Sequence, residues 1–125
     1  MMKITCGTDV IEINRIKESI DTMEDRFLDR VYTKKEQEYC ESKNAQKFQH
    51  YAARFAAKEA VFKAISSELN SKYDVSWQDI EIVNDEQGRP SVKVKGIQNA
   101  DIDISLSHCK EYATANCVVV WNEII

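Results

Sequence analysis

Apolar residues recur along this chain with two different periods. Ile13, Ile16 and Ile20 lie three and four apart, the spacing of one helix face, with Arg15 and Lys17 on its solvent side. Ile102, Ile104 and Leu106 instead alternate with Asp103, Ser105 and Ser107, the spacing of a strand with one wet face. Tyr112 to Trp121 alternates likewise, and its apolar end predicts a central strand. Residues 79–83 and 91–95 alternate around Asp85-Glu86-Gln87-Gly88-Arg89-Pro90, which predicts a hairpin. Residues 3–8 predict a first strand, and 67–76 a polar loop. Thr33-Lys34-Lys35-Glu36 fits a capping box opening a helix to about Ser42, since Thr and Glu can satisfy each other's orphan amides. Helices and strands segregate more than they alternate. The expected fold is α+β, a mostly antiparallel sheet packed with helices, one of them long and central, in a single domain spanning 1–125.

The central helix is Arg54-Phe55-Ala56-Ala57-Lys58-Glu59-Ala60-Val61-Phe62-Lys63-Ala64, rich in Ala and free of Gly and Pro, ending near Ser66. Phe48, Ala52, Phe55, Glu59, Phe62 and Ser66 share one face, which the pattern predicts to look into the core. A carboxylate in that stripe needs a partner, and Lys63 one turn on, a metal ion, or both could serve. The bland alternative is an ordinary Glu–Lys surface pair worth a few tenths of a kcal/mol.

Composition narrows the function classes. A length of 125 residues, 43% apolar and 30% charged, is that of one globular domain. A net charge of −4 argues against broad nucleic-acid binding. The N-terminus lacks a signal-like apolar run, and the longest apolar run, 117–121, is too short to span a bilayer, so a cytoplasmic protein is expected. The cysteines at 6, 40, 109 and 117 show neither metal-ligand spacing nor a redox pair, and free thiols are expected.

Three groups stand out as carrying chemistry. Asp9 follows the first strand and either caps the next helix, the commoner role, or projects into a site. Glu59 with Lys63 lies on the central helix, and His108 ends a strand. Two carboxylates and a phosphate suit Mg²⁺, which takes oxygen ligands and keeps some waters. Lys63, His108 and Arg54 could contact phosphate oxygens. No Walker loop and no GxGxxG is present, so side chains and metal would have to hold any phosphate.

At these residues the chain resembles the holo-acyl-carrier-protein synthases, the small 4′-phosphopantetheinyl transferases. Gly7-Thr8-Asp9-Val10 with Glu12-Ile13 and Arg15-Ile16 is similar to the family's first motif. Arg54 to Ala60 with Lys63-Ala64 is similar to its second and most specific one. Trp77-Gln78-Asp79-Ile80-Glu81 with Gly88-Arg89-Pro90, then Ile104-Ser105-Leu106-Ser107-His108 with Glu111-Tyr112-Ala113, complete the pattern.

The resemblance implies a Mg²⁺-dependent enzyme of fatty acid biosynthesis. A serine hydroxyl of apo-acyl carrier protein would attack the β-phosphate of coenzyme A, taking 4′-phosphopantetheine and releasing adenosine 3′,5′-bisphosphate. Asp9 and Glu59 would hold the metal, and these with Lys63 and His108 would form the catalytic set. Lys47, Arg54, Lys63, Ser66, Pro90, His108 and Cys109 would contact coenzyme A, and Arg15 and Arg26 would dock the acidic carrier protein. The family resemblance also implies a homotrimer with sites shared between subunits. The chain departs from the family at Ser66, where Gly is usual, and at Cys109, where Thr is common. Two other readings compete: a Mg²⁺-dependent nucleotide pyrophosphate hydrolase, and a non-catalytic module that binds carrier protein.

Overall fold

The computed structural model describes residues 2–71 and 73–122. Strand β1 (Lys3–Glu12) leads into helices α1 (Ile13–Met23), α2 (Asp25–Val31), α3 (Lys34–Glu41) and α4 (Lys47–Ile65). Strands β2 (Ile80–Asn84), β3 (Pro90–Val94), β4 (Ala100–His108) and β5 (Tyr112–Trp121) follow. Among the described residues these form two antiparallel sheets: β1-β5-β4 with β5 in the middle, and the separate hairpin β2-β3. The α+β class, the long helix and the central place of the last strand are as the pattern predicts.

α4 packs on the inner face of the larger sheet through small side chains. Ala56, Ala57, Ala60, Val61 and Ala64 form one buried cluster with Ile104, Ala115, Cys117 and Val119. Alanines on a helix permit close approach of backbone to backbone. A second cluster joins Ile13, Ile16 and Ile20 of α1 to Val31, Tyr32, Tyr51 and Ala52. The capping box of Thr33 and Glu36 forms as expected at the start of α3.

Two expectations are corrected. Asp9 caps no helix: β1 runs on to Glu12, paired with β5 from Lys3↔Trp121 to Glu12↔Tyr112, and α1 opens at Ile13. A ten-residue ladder outweighs a single capping bond, so the strand overruns the capping position. The stripe of Phe48, Phe55, Glu59 and Phe62 is likewise not the core face of α4. The buried face is the alanine face, and the aromatic stripe lies half-buried along its flank. Small residues win the core position because the sheet comes so close.

Candidate functional site

The site begins at the seam between β1 and α4. A Cβ on Gly7 would lie 2.0 Å from the carbonyl oxygen of Ala60, so only glycine allows these backbones to touch. Asp9 shares the inner face of β1 with Gly7, because successive even steps return to the same side. Glu59 precedes Ala60, and Lys63 stands one turn further on. Lys63 Nζ lies 3.2 Å from Asp9 Oδ1 and donates to Thr8 O at 2.9 Å. Partial burial holds the Glu59 carboxyl above the usual range, the nearby Asp9 charge adds to this, and Lys63 opposes it. Two coupled carboxylates with a cation already standing beside one of them are a donor set suited to Mg²⁺. Among the described residues no group of three or more His, Cys, Asp or Glu converges, so water and ligand oxygens would complete the metal's shell.

At the residue before Glu59 stands a buried ion pair. Lys58 Nζ is 2.6 Å from Glu36 Oε1, and both side chains are 0% exposed. The same ammonium donates to Val31 O at 2.6 Å and Trp77 O at 2.9 Å. Glu36 Oε1 accepts from Thr33 N and Oε2 from Ile82 N, both at 2.7 Å. One pair therefore ties α2, α3, α4 and β2 together at the residue next to Glu59. Burial lowers the Lys58 pKa, and the charge of Glu36 pulls it back up.

His108 sits exposed at the end of β4 with its ring centroid 5.9 Å from that of His50 on α4. Arg54 follows His50 by one turn. It is only 2% exposed, its guanidinium 4.0 Å over the Tyr39 ring. Nη1 donates to His50 O at 3.4 Å, Nη2 donates to Asn84 Oδ1, and Nε is buried without a hydrogen-bond partner among the described residues. A phosphate could reach Arg54 only by displacing these contacts. Its position fits a support beneath His50 and the hairpin, where Asn84 pairs with Pro90. Lys47 begins α4 on the same face as His50 and Arg54, 3.3 Å from Glu41 Oε1. Ser66 is exposed, its hydroxyl donating to Lys63 O at 2.9 Å, and Cys109 is exposed beside His108. Arg15 and Arg26 lie exposed on α1 and α2.

A cavity of about 320 Å³ opens beside Glu59, lined by Phe62, Tyr73, Val75, Trp77 and Ile80 together with Lys58. Phe62 of the aromatic flank of α4 thus forms part of the cavity wall. Four contributors were not assigned from the sequence: Gly7, Glu36, Lys58 and His50. The only signal for Glu36 was its capping box, which shows nothing of its second partner 22 positions on, at Lys58.

Comparison with known proteins gives the family. Residues 5–117 match the model of the 4′-phosphopantetheinyl transferase superfamily. The chain is 43% identical to a holo-[acyl-carrier-protein] synthase of Ruminiclostridium cellulolyticum, over 94% of this chain and 92% of that one. It is 42% identical to that of Protochlamydia amoebophila, over 97% and 99%. Among solved structures, the Bacillus anthracis holo-(acyl-carrier-protein) synthase in complex with CoA (3′,5′-ADP) superposes with a TM-score of 0.82 at 34% identity, over 98% and 100%. The Chronobacterium ammoniagenes ACPS–CoA complex does so with 0.83 at 26%, over 97% and 99%. With its two-carboxylate seam, its long helix and this continuous likeness, the chain belongs to the 4′-phosphopantetheinyl transferase superfamily, among the holo-[acyl-carrier-protein] synthases.

Proposed function

We propose that this enzyme transfers 4′-phosphopantetheine from coenzyme A to a serine of apo-acyl carrier protein, releasing adenosine 3′,5′-bisphosphate, in cytoplasmic fatty acid biosynthesis. The observation that carries the reading is geometric: the Gly7–Ala60 contact joins the strand of Asp9 to the helix of Glu59 and Lys63, whose ammonium lies 3.2 Å from Asp9 Oδ1. Asp9 and Glu59 hold Mg²⁺, which when bound neutralises charge on the diphosphate as a Lewis acid. Lys63, His108 and Lys47 offer cationic or hydrogen-bonding contacts to phosphate oxygens, and the family resemblance adds Ser66, Pro90 and Cys109 as coenzyme A contacts. Arg54 supports His50 and the hairpin from beneath. The apolar cavity beside Glu59 suits an uncharged chain such as the pantetheine arm. Arg15 and Arg26 meet the acidic carrier protein, acting mainly on encounter rate.

The assembly is a homotrimer with sites between subunits. What supports a subunit contact is the outer face of the larger sheet, where Ile4 (64% exposed), Val10 (61%) and Val118 (45%) make an apolar patch.

Incubation with apo-carrier protein, coenzyme A and Mg²⁺ should give a phosphopantetheine adduct by mass spectrometry. No adduct with several carrier proteins, from folded enzyme, would count against the reading. Release of the bisphosphate without an acceptor would favour a pyrophosphate hydrolase instead. Asp9→Ala and Glu59→Ala should each lower turnover by about a thousandfold or more, the several kcal/mol of a Lewis acid, with little loss of stability.

A further inference from the structure

Lys63 is placed where two roles meet. Its ammonium lies 3.2 Å from Asp9 Oδ1, yet the side chain is 52% exposed while that of Asp9 is 17% exposed. β1 and α4 touch at Gly7 and Ala60, which brings together the backbones that carry Asp9 and Glu59. Two like charges held at one seam need a cation, and Lys63 supplies one from the chain itself. A divalent ion entering between the same carboxylates would be repelled by an ammonium left in place. The long, flexible lysine stem can move the charge toward solvent, where an anionic cosubstrate would arrive.

We propose that Lys63 is an internal counter-ion, standing in for the divalent cation beside Asp9 and Glu59 and transferring its ammonium to a phosphate of coenzyme A when the cation binds. The proposal rests on the reading of Asp9 and Glu59 as metal ligands. It makes cation and cosubstrate binding mutually reinforcing, since each helps draw Lys63 away from Asp9.

The test is titration of Mn²⁺ alone, followed by its electron paramagnetic resonance signal, into the intact protein and into Lys63→Met, Lys63→Arg and Asp9→Asn. Lys63→Met should bind Mn²⁺ about five- to tenfold more tightly than the unchanged protein. Lys63→Arg, which keeps the charge, should not. Addition of coenzyme A should then tighten Mn²⁺ binding less in Lys63→Met than in the unchanged protein. Mn²⁺ should also raise the thermal midpoint of Lys63→Met by more, a readout that catches any variant destabilised by its unneutralised carboxylates. Asp9-dependent binding that is equal or weaker in Lys63→Met overturns the counter-ion role alone. Absence of Asp9-dependent binding in both proteins overturns the metal-site reading and this proposal with it.

Discussion

Gly7 of β1 and Ala60 of α4 meet so closely that a single methyl group on Gly7 would collide with the Ala60 carbonyl, 2.0 Å away. The obstructing atoms are backbone, so no side chain can turn aside to make room. Gly7→Ala should therefore force the strand off the helix and cost roughly 1–3 kcal/mol. It should also weaken Mn²⁺ binding, because Asp9 and Glu59 sit on either side of that contact. Denaturant unfolding and metal titration of the one variant check both, and unchanged metal binding would separate the contact from the site.

Lys58 and Glu36 are buried together, and each holds backbone groups of neighbouring elements. Lys58→Met leaves Glu36 an uncompensated buried charge and should cost about 3–5 kcal/mol. Combining it with Glu36→Gln should recover part of that loss, since no charge is then stranded. Equilibrium unfolding of the single and double variants gives the answer. Additive losses would show that the two side chains do not act as a pair.

Partial burial, then the positive charges of Arg54, Lys43 and His108, push the His50 imidazole down from 6.5 to about 4. The folded protein thus refuses a proton that the unfolded chain accepts. The neutral form's contribution is complete above pH 6.5 and is lost progressively as pH falls toward 4. His50→Phe keeps a ring beside Tyr39 but cannot titrate. Its stability should decline less steeply than that of the unchanged protein between those limits, as measured by denaturation at a series of pH values. Parallel declines would remove His50 as the cause.

Val10 lies 61% exposed on the outer face of β1, with Ile4 on the same side. Val10→Asp should leave the monomer's core untouched and shift the species seen in sedimentation toward lower mass. A sedimentation profile unchanged by that charge would place the subunit contact elsewhere.

Local order was legible in the sequence to a large extent. The spacing of Ile13, Ile16 and Ile20, the alternation of 101–108 and 112–121, and the Thr33–Glu36 box each involve residues within a turn or a strand of one another. All four features recur in the structure. Such patterns reflect periodicity, which neighbours in the chain determine by themselves.

Asp9 shows where that ended. Locally it suited a helix cap, and only the pairing of β1 with β5, more than 100 positions on at Ala115, extends the strand through it. The buried face of α4 was likewise set from outside the helix. The aromatic stripe offered more apolar area, but the sheet's approach at Gly7 leaves room at that contact only for small residues, Ala60 and Ala64. Lys58 reads as one more charge in a helix until Glu36, Val31 and Trp77 close around it. By itself the sequence determined most of the elements, though not α2 or the full length of β1, and, through its motifs, the family. Which carboxylate faces which, which lysine is buried and which arginine lies beneath the surface were decided only by contacts between distant segments, because close packing and desolvation are properties of the assembled interior and not of any one stretch.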